Sequence, residues 1–234
     1  HPQPHTIRKM KTAIIVAMDK ELRLLLPLLA DISEVAIGDT TYYTGLLGGH
    51  PVTVCKCGIG KVNAALGAAA LIDTFHPELV VNTGVAGGTG MGEPPLKPLD
   101  VLLADAVAYH DVWCGPGTAP GQAAGFPERF ECPLGDNVRR QLGASGGLLA
   151  SGDVFIDGTE ALARVLSVQP QAVAVDMESA AVAQVCCLRG VPFVCLRVIS
   201  DTPGDGGNAA AYDNFWEDAP RRTFEAVDRL MKLL

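Results

Sequence analysis

The sequence predicts an α/β fold built on a central mixed β-sheet. Strand-like and helix-like text alternate from Lys11 to the end. The strand-like runs are short and β-branched, and most end in a glycine or an acidic residue where the next segment begins. The 234-residue chain is 48% apolar and only 19% charged, enough to bury a sizeable core. No internal repeat, low-complexity tract or linker interrupts it, so residues 10–234 are expected to form a single domain.

Residues 12–17 (TAIIVA) read as a buried strand. Residues 18–29 carry Leu22, Leu25, Leu26 and Leu29 at helical spacing. Strand-like pieces follow at 32–37, 41–47 and 51–57, divided by Gly38-Asp39 and Gly48-Gly49 as in a meander. Residues 61–75 form an alanine-rich helix, and 79–83 (LVVNT) a buried strand that ends in a glycine-rich turn. A strand is expected at 100–107. The stretch 109–133 is irregular and dense in glycine and proline, and a loop of that length is usually functional or interfacial. Further strands are expected at 148–151, 172–175 and 193–199. Helices are expected at 159–168, at 177–189, where Gly190 ends the helix, and at 210–233.

With 18 basic and 26 acidic residues the net charge is −8, which gives no support for nucleic acid or an anionic membrane as a partner. No apolar run approaches the ~20 residues of a membrane span. The seven cysteines show no CxxC or Cys/His zinc spacing, so free, mostly buried thiols in a reducing cytoplasm are expected. No metal site and no cofactor is implied. Residues 1–9 are polar and lack the apolar core of a secretory signal; they read as a tag remnant or processed end, with Met10 as the natural start.

Open α/β sheets collect ligands beyond the carboxyl ends of their strands. Here those ends are followed by Met18-Asp19-Lys20-Glu21, Gly58-Ile59-Gly60-Lys61, Gly84-Val85-Ala86-Gly87-Gly88, Gly152-Asp153-Val154-Phe155-Ile156, Asp176-Met177-Glu178 and Ser200-Asp201. Each has an ordinary reading. Gly58 to Lys61 fails the P-loop spacing. Glu21 could be a solvated helix residue, Asp176 and Glu178 helix N-terminal acids, and Asp201 a cap. Tyr109-His110-Asp111 is a poor metal site, because adjacent side chains rarely share one ion. What raises all of them is their common rim, which suits a polar ligand with hydroxyl groups.

The ordered pieces AMDKEL, CGIGKVNAALGA, VVNTGVAGG, AYHD, SGDVFI, VAVDMESAAVAQV and LRVISD resemble the 5′-methylthioadenosine/S-adenosylhomocysteine nucleosidases of the nucleoside phosphorylase superfamily. The resemblance runs from about Met10 to the C-terminus. It implies a three-layer α/β/α domain with a mixed, twisted sheet flanked by helices, usually a homodimer. It also implies hydrolysis of the N-glycosidic bond of methylthioadenosine and S-adenosylhomocysteine with release of adenine. By the same resemblance Glu21 activates the water and Arg197 helps hold it. Glu178 binds the ribose hydroxyls with Met177 beside the sugar, and Asp201 protonates N7 of adenine with Ser200 in support. Phe155 stacks on adenine and the Ile156 backbone reads its edge. Met18, Ile59 and Tyr212 contact the sugar and its 5′ substituent, and Val85, Ala86 and Gly87 form the glycine turn of the pocket. Tyr109, Val112 and Trp113 fall in the region that reaches the neighbouring subunit's 5′ pocket.

The chemistry suits these types. Breaking a ribosyl–adenine bond builds positive charge on the sugar and negative charge on the base. A carboxylic acid that stays protonated near neutral pH helps the base leave, so the pKa of Asp201 is expected to be raised, by burial and by Glu21 and Glu178 nearby. Related phosphorylases hold phosphate with arginines and a serine at positions that here read Met18 to Glu21, Asn82 and Val85. That exchange favours water over phosphate. Val85 also replaces a serine that the hydrolases commonly carry, and residues 112–127 differ from the usual loop. Rival readings are an aminodeoxyfutalosine-type nucleoside hydrolase of menaquinone synthesis, a phosphate-dependent purine nucleoside phosphorylase, and a non-catalytic nucleoside-binding protein.

Overall fold

The first strand, β1 (Thr12–Val16), alternates its side chains between two buried layers. Ala13 and Ile15 face one way, toward α2 (Lys61–Phe75) and α5 (Ser179–Arg189); Ile14 and Val16 face the other, toward α1 (Asp19–Leu25) and α7 (Glu225–Leu233). A strand buried on both faces reads as a continuous apolar run, which TAIIV is. The expected three-layer α/β/α arrangement follows from that alternation. The computed structural model describes residues 9–205, 207–218 and 224–234. The expectation for residues 1–9 therefore falls almost wholly outside the described residues.

The described strands form one mixed sheet of eleven. A meander of β2 (Ala30–Ile37), β3 (Thr40–Leu47) and β4 (His50–Lys56) leads to β1, which lies beside β5 (Leu79–Gly88). The path continues through β10 (Ala172–Asp176), β9 (Leu148–Ser151), β7 (Ala106–Tyr109) and β8 (Phe130–Glu131). The strand β11 (Phe193–Asp201) pairs with β5 and with β6 (Val101–Leu103). Helix α4 (Gly158–Val168) packs Leu162 and Val165 against β9 and β10.

The register of β5 creates the opening for a site. Its residues 79–82 pair in parallel with β1, while Gly87 and Gly88 pair antiparallel with Val175 and Ala174 of β10. The carboxyl ends of β1 and β10 therefore point at each other across residues 83–86. On the other edge β11 runs parallel to β5 throughout, setting Arg197 opposite Gly84 and Asp201 opposite Gly87.

Several sequence expectations are corrected. The glycine run after Thr83 is strand, not turn. Gly84 sits at φ 144°, and a Cβ there would lie 2.1 Å from Glu21 Oε2. These glycines admit close neighbours rather than reverse the chain. The expected strand at 100–107 is two strands, because β6 pairs antiparallel with β11 and β7 parallel with β9. Helix α1 stops at Leu25 and tightens into a 3-10 turn, Leu26–Leu28, where Pro27 lacks an N–H. The expected helix at 210–233 is α6 (Asn208–Asp218) and α7, with residues 219–223 outside the described set. Helix α3 (Asp136–Leu142) was not foreseen; at seven residues it is too short for a clear period.

Leu71 of α2 is fully buried against the α5 layer. Leu71→Ala is expected to lower unfolding stability by about 2–5 kcal/mol in urea titration, the usual range for a truncated core leucine.

Candidate active site

A cleft of about 630 Å³, open to solvent, lies where β1 and β10 meet across β5. Of the site residues expected from the sequence, all but Arg197, Tyr109, Val112 and Trp113 lie on it. Met18 and Glu21 come from α1 and its start, Ile59 from the β4–α2 turn, and Val85, Ala86 and Gly87 from β5. Phe155 and Ile156 come from the β9–α4 loop, Met177 and Glu178 from the β10–α5 bend, Ser200 and Asp201 from the end of β11, and Tyr212 from α6. Val154, Val175, Asp176 and Pro203 also line it.

Glu21 is almost fully buried, although it stands in the first turn of a helix that begins at the rim. Its Oε1 accepts the N–H groups of Ala17 and Met18, each at 3.0 Å, and its Oε2 accepts the N–H of Val85 at 2.8 Å. Burial raises its pKa; the Arg197 charge and these three donors oppose the rise. The solvated-helix reading of Glu21 does not hold in this setting.

Glu178 lies in the bend before α5. Its Oε2 accepts the Gly60 N–H at 3.1 Å, and its Oε1 lies 3.6 Å from Arg197 Nη1. Burial pushes its carboxyl up to about 7 despite the attraction of Arg197, and Asp176 adds to the rise. Asp201 donates nothing as a carboxylate and accepts twice. Oδ1 takes the Ser200 hydroxyl at 2.7 Å and Oδ2 the Asn208 amide at 3.0 Å. Its pKa is raised by burial, and those two donors oppose the rise. The expected contribution from Glu21 and Glu178 is not among the causes; burial alone drives the shift.

Arg197 does not line the cleft. Its guanidinium is 1% exposed, beneath the floor. Nη1 donates to the Val85 main-chain carbonyl at 3.0 Å, and Nη2 pairs with Asp176 Oδ2 at 2.9 Å and donates to the side-chain Oδ1 of Asn82. Burial works against its charge, but Asp176 and then Glu178 and Glu21 hold its pKa above the ordinary arginine value. Asp176 also accepts the Ser179 hydroxyl at 2.9 Å.

The aromatic wall is Phe155 and Tyr212, whose ring centroids are 5.4 Å apart at 73°. Tyr212 donates to the Met18 sulfur at 3.4 Å. Phe155 is 46% exposed and Ile59 51%, so both present apolar surface at the mouth.

Tyr109, Val112 and Trp113 do not join this cleft. Tyr109 and Val112 border a second, shallower depression with Val62, Ala65 and Leu188 on the α2–α5 face. Tyr109 donates to Gln184 at 2.6 Å, and Trp113 is 65% exposed. Asp111 pairs with Lys61 at 2.9 Å and accepts the Asp153 N–H at 2.8 Å. Among the described residues no group of three or more His, Cys, Asp or Glu side chains could hold a metal ion.

Sequence reasoning missed Asp176 as the partner of Arg197, the Gly60 N–H and Asn208. Asp176 carried a signal in its place two residues before Glu178. The Gly60 N–H is main chain and left none.

Four buried carboxyl groups around one aromatic-walled cleft, at the carboxyl ends of strands in a mixed α/β sheet, suit an enzyme that moves protons. The sequence pattern described as the phosphorylase superfamily matches residues 11–232. A 5′-methylthioadenosine/S-adenosylhomocysteine nucleosidase of Geobacillus thermodenitrificans is 38% identical over 227 residues, covering 93% of this chain and 94% of that one. Its counterpart in Actinobacillus succinogenes is 38% identical over 226 residues, covering 93% and 96%. The solved structure of an S-adenosylhomocysteine nucleosidase from Streptococcus pyogenes, in complex with 5-methylthiotubericidin, superposes with a TM-score of 0.90 at 34% identity, covering 98% of this chain and 99% of that one. The chain belongs to the phosphorylase superfamily and, within it, to the methylthioadenosine/S-adenosylhomocysteine nucleosidase family of N-glycosyl hydrolases.

The raised Glu178 carboxyl gives a stability prediction. Its folded pKa, about 7, exceeds its ordinary 4.5. The folded state therefore holds the proton more tightly, and this contribution is full below about 4.5 and lost as pH rises through 7. Wild-type melting temperature is expected to fall from pH 5 to pH 8 more steeply than that of Glu178→Gln, by a few degrees. Parallel curves for the two proteins would contradict the assignment.

Proposed function

We propose that this chain hydrolyses the N-glycosidic bond of 5′-methylthioadenosine and S-adenosylhomocysteine, with Asp201 as the acid and Glu21 as the base. One observation carries the reading: the described cleft lining holds Glu21, Asp176, Glu178 and Asp201 but no lysine or arginine. Phosphate would meet carboxylates there and find no cation, whereas a water nucleophile and a sugar that gains positive charge suit the lining.

Asp201, whose pKa burial raises, gives its proton to N7 as the bond to the sugar breaks. The electron pair of that bond goes to the base. Glu21, fixed by three main-chain donors, takes a proton from the water that attacks the sugar carbon. Glu178 accepts from the ribose hydroxyls, and its charge stabilises the cationic sugar. Arg197 lies beneath the lining, so it serves as a positioning residue that holds Glu178 and Glu21 rather than touching the water directly. Phe155 stacks on adenine while the Ile156 main chain reads its edge. Met18, Ile59 and Tyr212 enclose the 5′ group, with Met177 and Val85 against the sugar. Ser200 orients the acid.

The chain works as a homodimer in the cytoplasm, as one domain over residues 10–234. The dimer reading rests on the α2–α5 face, where Val62, Leu66 and Leu188 are each more than 60% exposed. Tyr109 and Val112 border that face, and with the exposed Trp113 they are taken to complete the partner's 5′ pocket. The cytoplasmic reading rests on seven free thiols, and no described helix is long and apolar enough to cross a membrane.

Adenine release from both nucleosides is expected to proceed equally with and without phosphate, followed by ultraviolet absorbance. Release only with phosphate would make the chain a phosphorylase. Release only from an aminodeoxyfutalosine-type nucleoside would move it to the menaquinone route. Asp201→Asn is expected to lower kcat by about 10²–10⁴-fold with nucleoside binding retained. Leu66→Asp is expected to shift the sedimentation coefficient from dimer to monomer; an unshifted dimer would place the interface elsewhere.

A further inference from the structure

The Asn208 side chain is 1% exposed and makes three hydrogen bonds at once. Its Nδ2 donates to Asp201 Oδ2 at 3.0 Å and to the Ile156 carbonyl at 2.9 Å. Its Oδ1 accepts the Gly158 N–H at 3.0 Å. An asparagine at a helix start ordinarily bonds its own first turn. Here the Gly207 carbonyl takes the N–H groups of Ala210 and Ala211, and the Asn208 amide is turned wholly toward other elements. One planar group thus joins the end of β11 to both ends of the segment that runs from Ile156 into α4. Asn208 is not among the residues that line the cleft, so it acts from behind the acid.

We propose that Asn208 is a positioning residue that fixes the Asp201 carboxyl against the adenine-binding wall formed by Phe155 and Ile156. The inference rests on the reading of Asp201 as the acid. The pairing explains how an acid on a strand end and a base-reading loop from another part of the sheet keep one spacing: N7 and the rest of the base edge must be met together. It also sets the protonation of Asp201. A donor to Oδ2 favours the carboxylate, so Asn208 limits how far burial can raise the pKa. The other ionisable groups around Asp201 are Glu21 from α1, Asp176 and Glu178 from β10 and its bend, and Tyr212 from α6. Arg197 lies four residues earlier on β11, and Asp157 and Glu160 at the start of α4 are exposed.

The test is the pH dependence of kcat/KM for methylthioadenosine in the wild type and in Asn208→Leu, which keeps the shape and removes the polar atoms. Activity falls as pH rises through the pKa of the acid. Loss of the donor raises that pKa, so the falling limb is expected to move to higher pH by on the order of one unit. KM is expected to rise several-fold as the base wall loosens. A residue with only a packing role would lower the folded fraction and kcat and leave the limb in place; an unmoved limb overturns the proposal. If Asn208→Leu is not recovered folded, Asn208→Ser, too short to reach Oδ2, is read in the same way. Wild-type turnover with an unmoved limb in the variants defeats this inference alone. No wild-type turnover defeats the functional reading and this inference with it.

Discussion

A single buried guanidinium organises the centre of this molecule. Arg197 is 1% exposed and meets Asp176 at 2.9 Å, Glu178 at 3.6 Å, the Val85 main-chain carbonyl and the Asn82 side-chain Oδ1. An arginine taken out of water carries a desolvation cost of several kcal/mol, recovered only with good geometry and full hydrogen bonding. The planar fork suits that task where a lysine would not. Removing one partner would leave the opposite charge buried and unpaired, so Arg197 and Asp176 stand or fall together. The strand pairing explains why they meet. Residue 197 lies opposite Gly84 on β5, and Asp176 ends the strand that pairs with the other edge of β5.

Gly84 is the steric condition for that meeting. Glu21 Oε2 and Arg197 Nη1 both lie within 3 Å of where a Cβ at Gly84 would stand. The carboxylate from α1 and the guanidinium from β11 approach over bare backbone. A strand interior normally loses from glycine, which packs nothing and has the most freedom to lose. Here the loss is offset by the Val85 N–H reaching Glu21 at 2.8 Å and the Val85 carbonyl reaching Arg197 at 3.0 Å. The two sides of one peptide-chain residue thus hold the carboxylate and the cation apart at a fixed separation. Val85 contributes through its main chain, so the lack of a side-chain hydroxyl at that position removes none of these bonds.

Much of this was legible because burial writes itself into composition. TAIIV and LLAS are apolar on both faces and fall where β1 and β9 lie, and the alanine-rich text of α2 matches its helix end to end. The acids were legible through position: Glu21, Glu178 and Asp201 each follow a strand, and strand ends converge. Three things were hidden. Glycines after Thr83 look like a turn because the same residue serves reversal and close approach, and only the neighbours decide. The break between β6 and β7 follows from a change of strand partner, which no local pattern encodes. Asn208 sits in polar, glycine-rich text typical of a loop, and its value comes from residues 7 and 52 positions away.

On the proposed mechanism, the charge balance of the cleft bears on how one pocket keeps an acid and bases apart. Four carboxyl groups line it and one guanidinium lies beneath. If all four ionised, three negative charges would go uncompensated by the one guanidinium. Asp176 takes the direct ion pair. Glu21 is stabilised by three main-chain donors, and Glu178 by the Gly60 N–H and the longer contact to Arg197. Asp201 is buried, accepts only from the neutral Ser200 and Asn208 side chains, and has its pKa raised by burial with no opposing cation among the causes. A substrate whose sugar turns cationic supplies the missing positive charge at the moment of bond breaking. On the proposed mechanism, the transition state supplies the positive charge that the free cleft lacks.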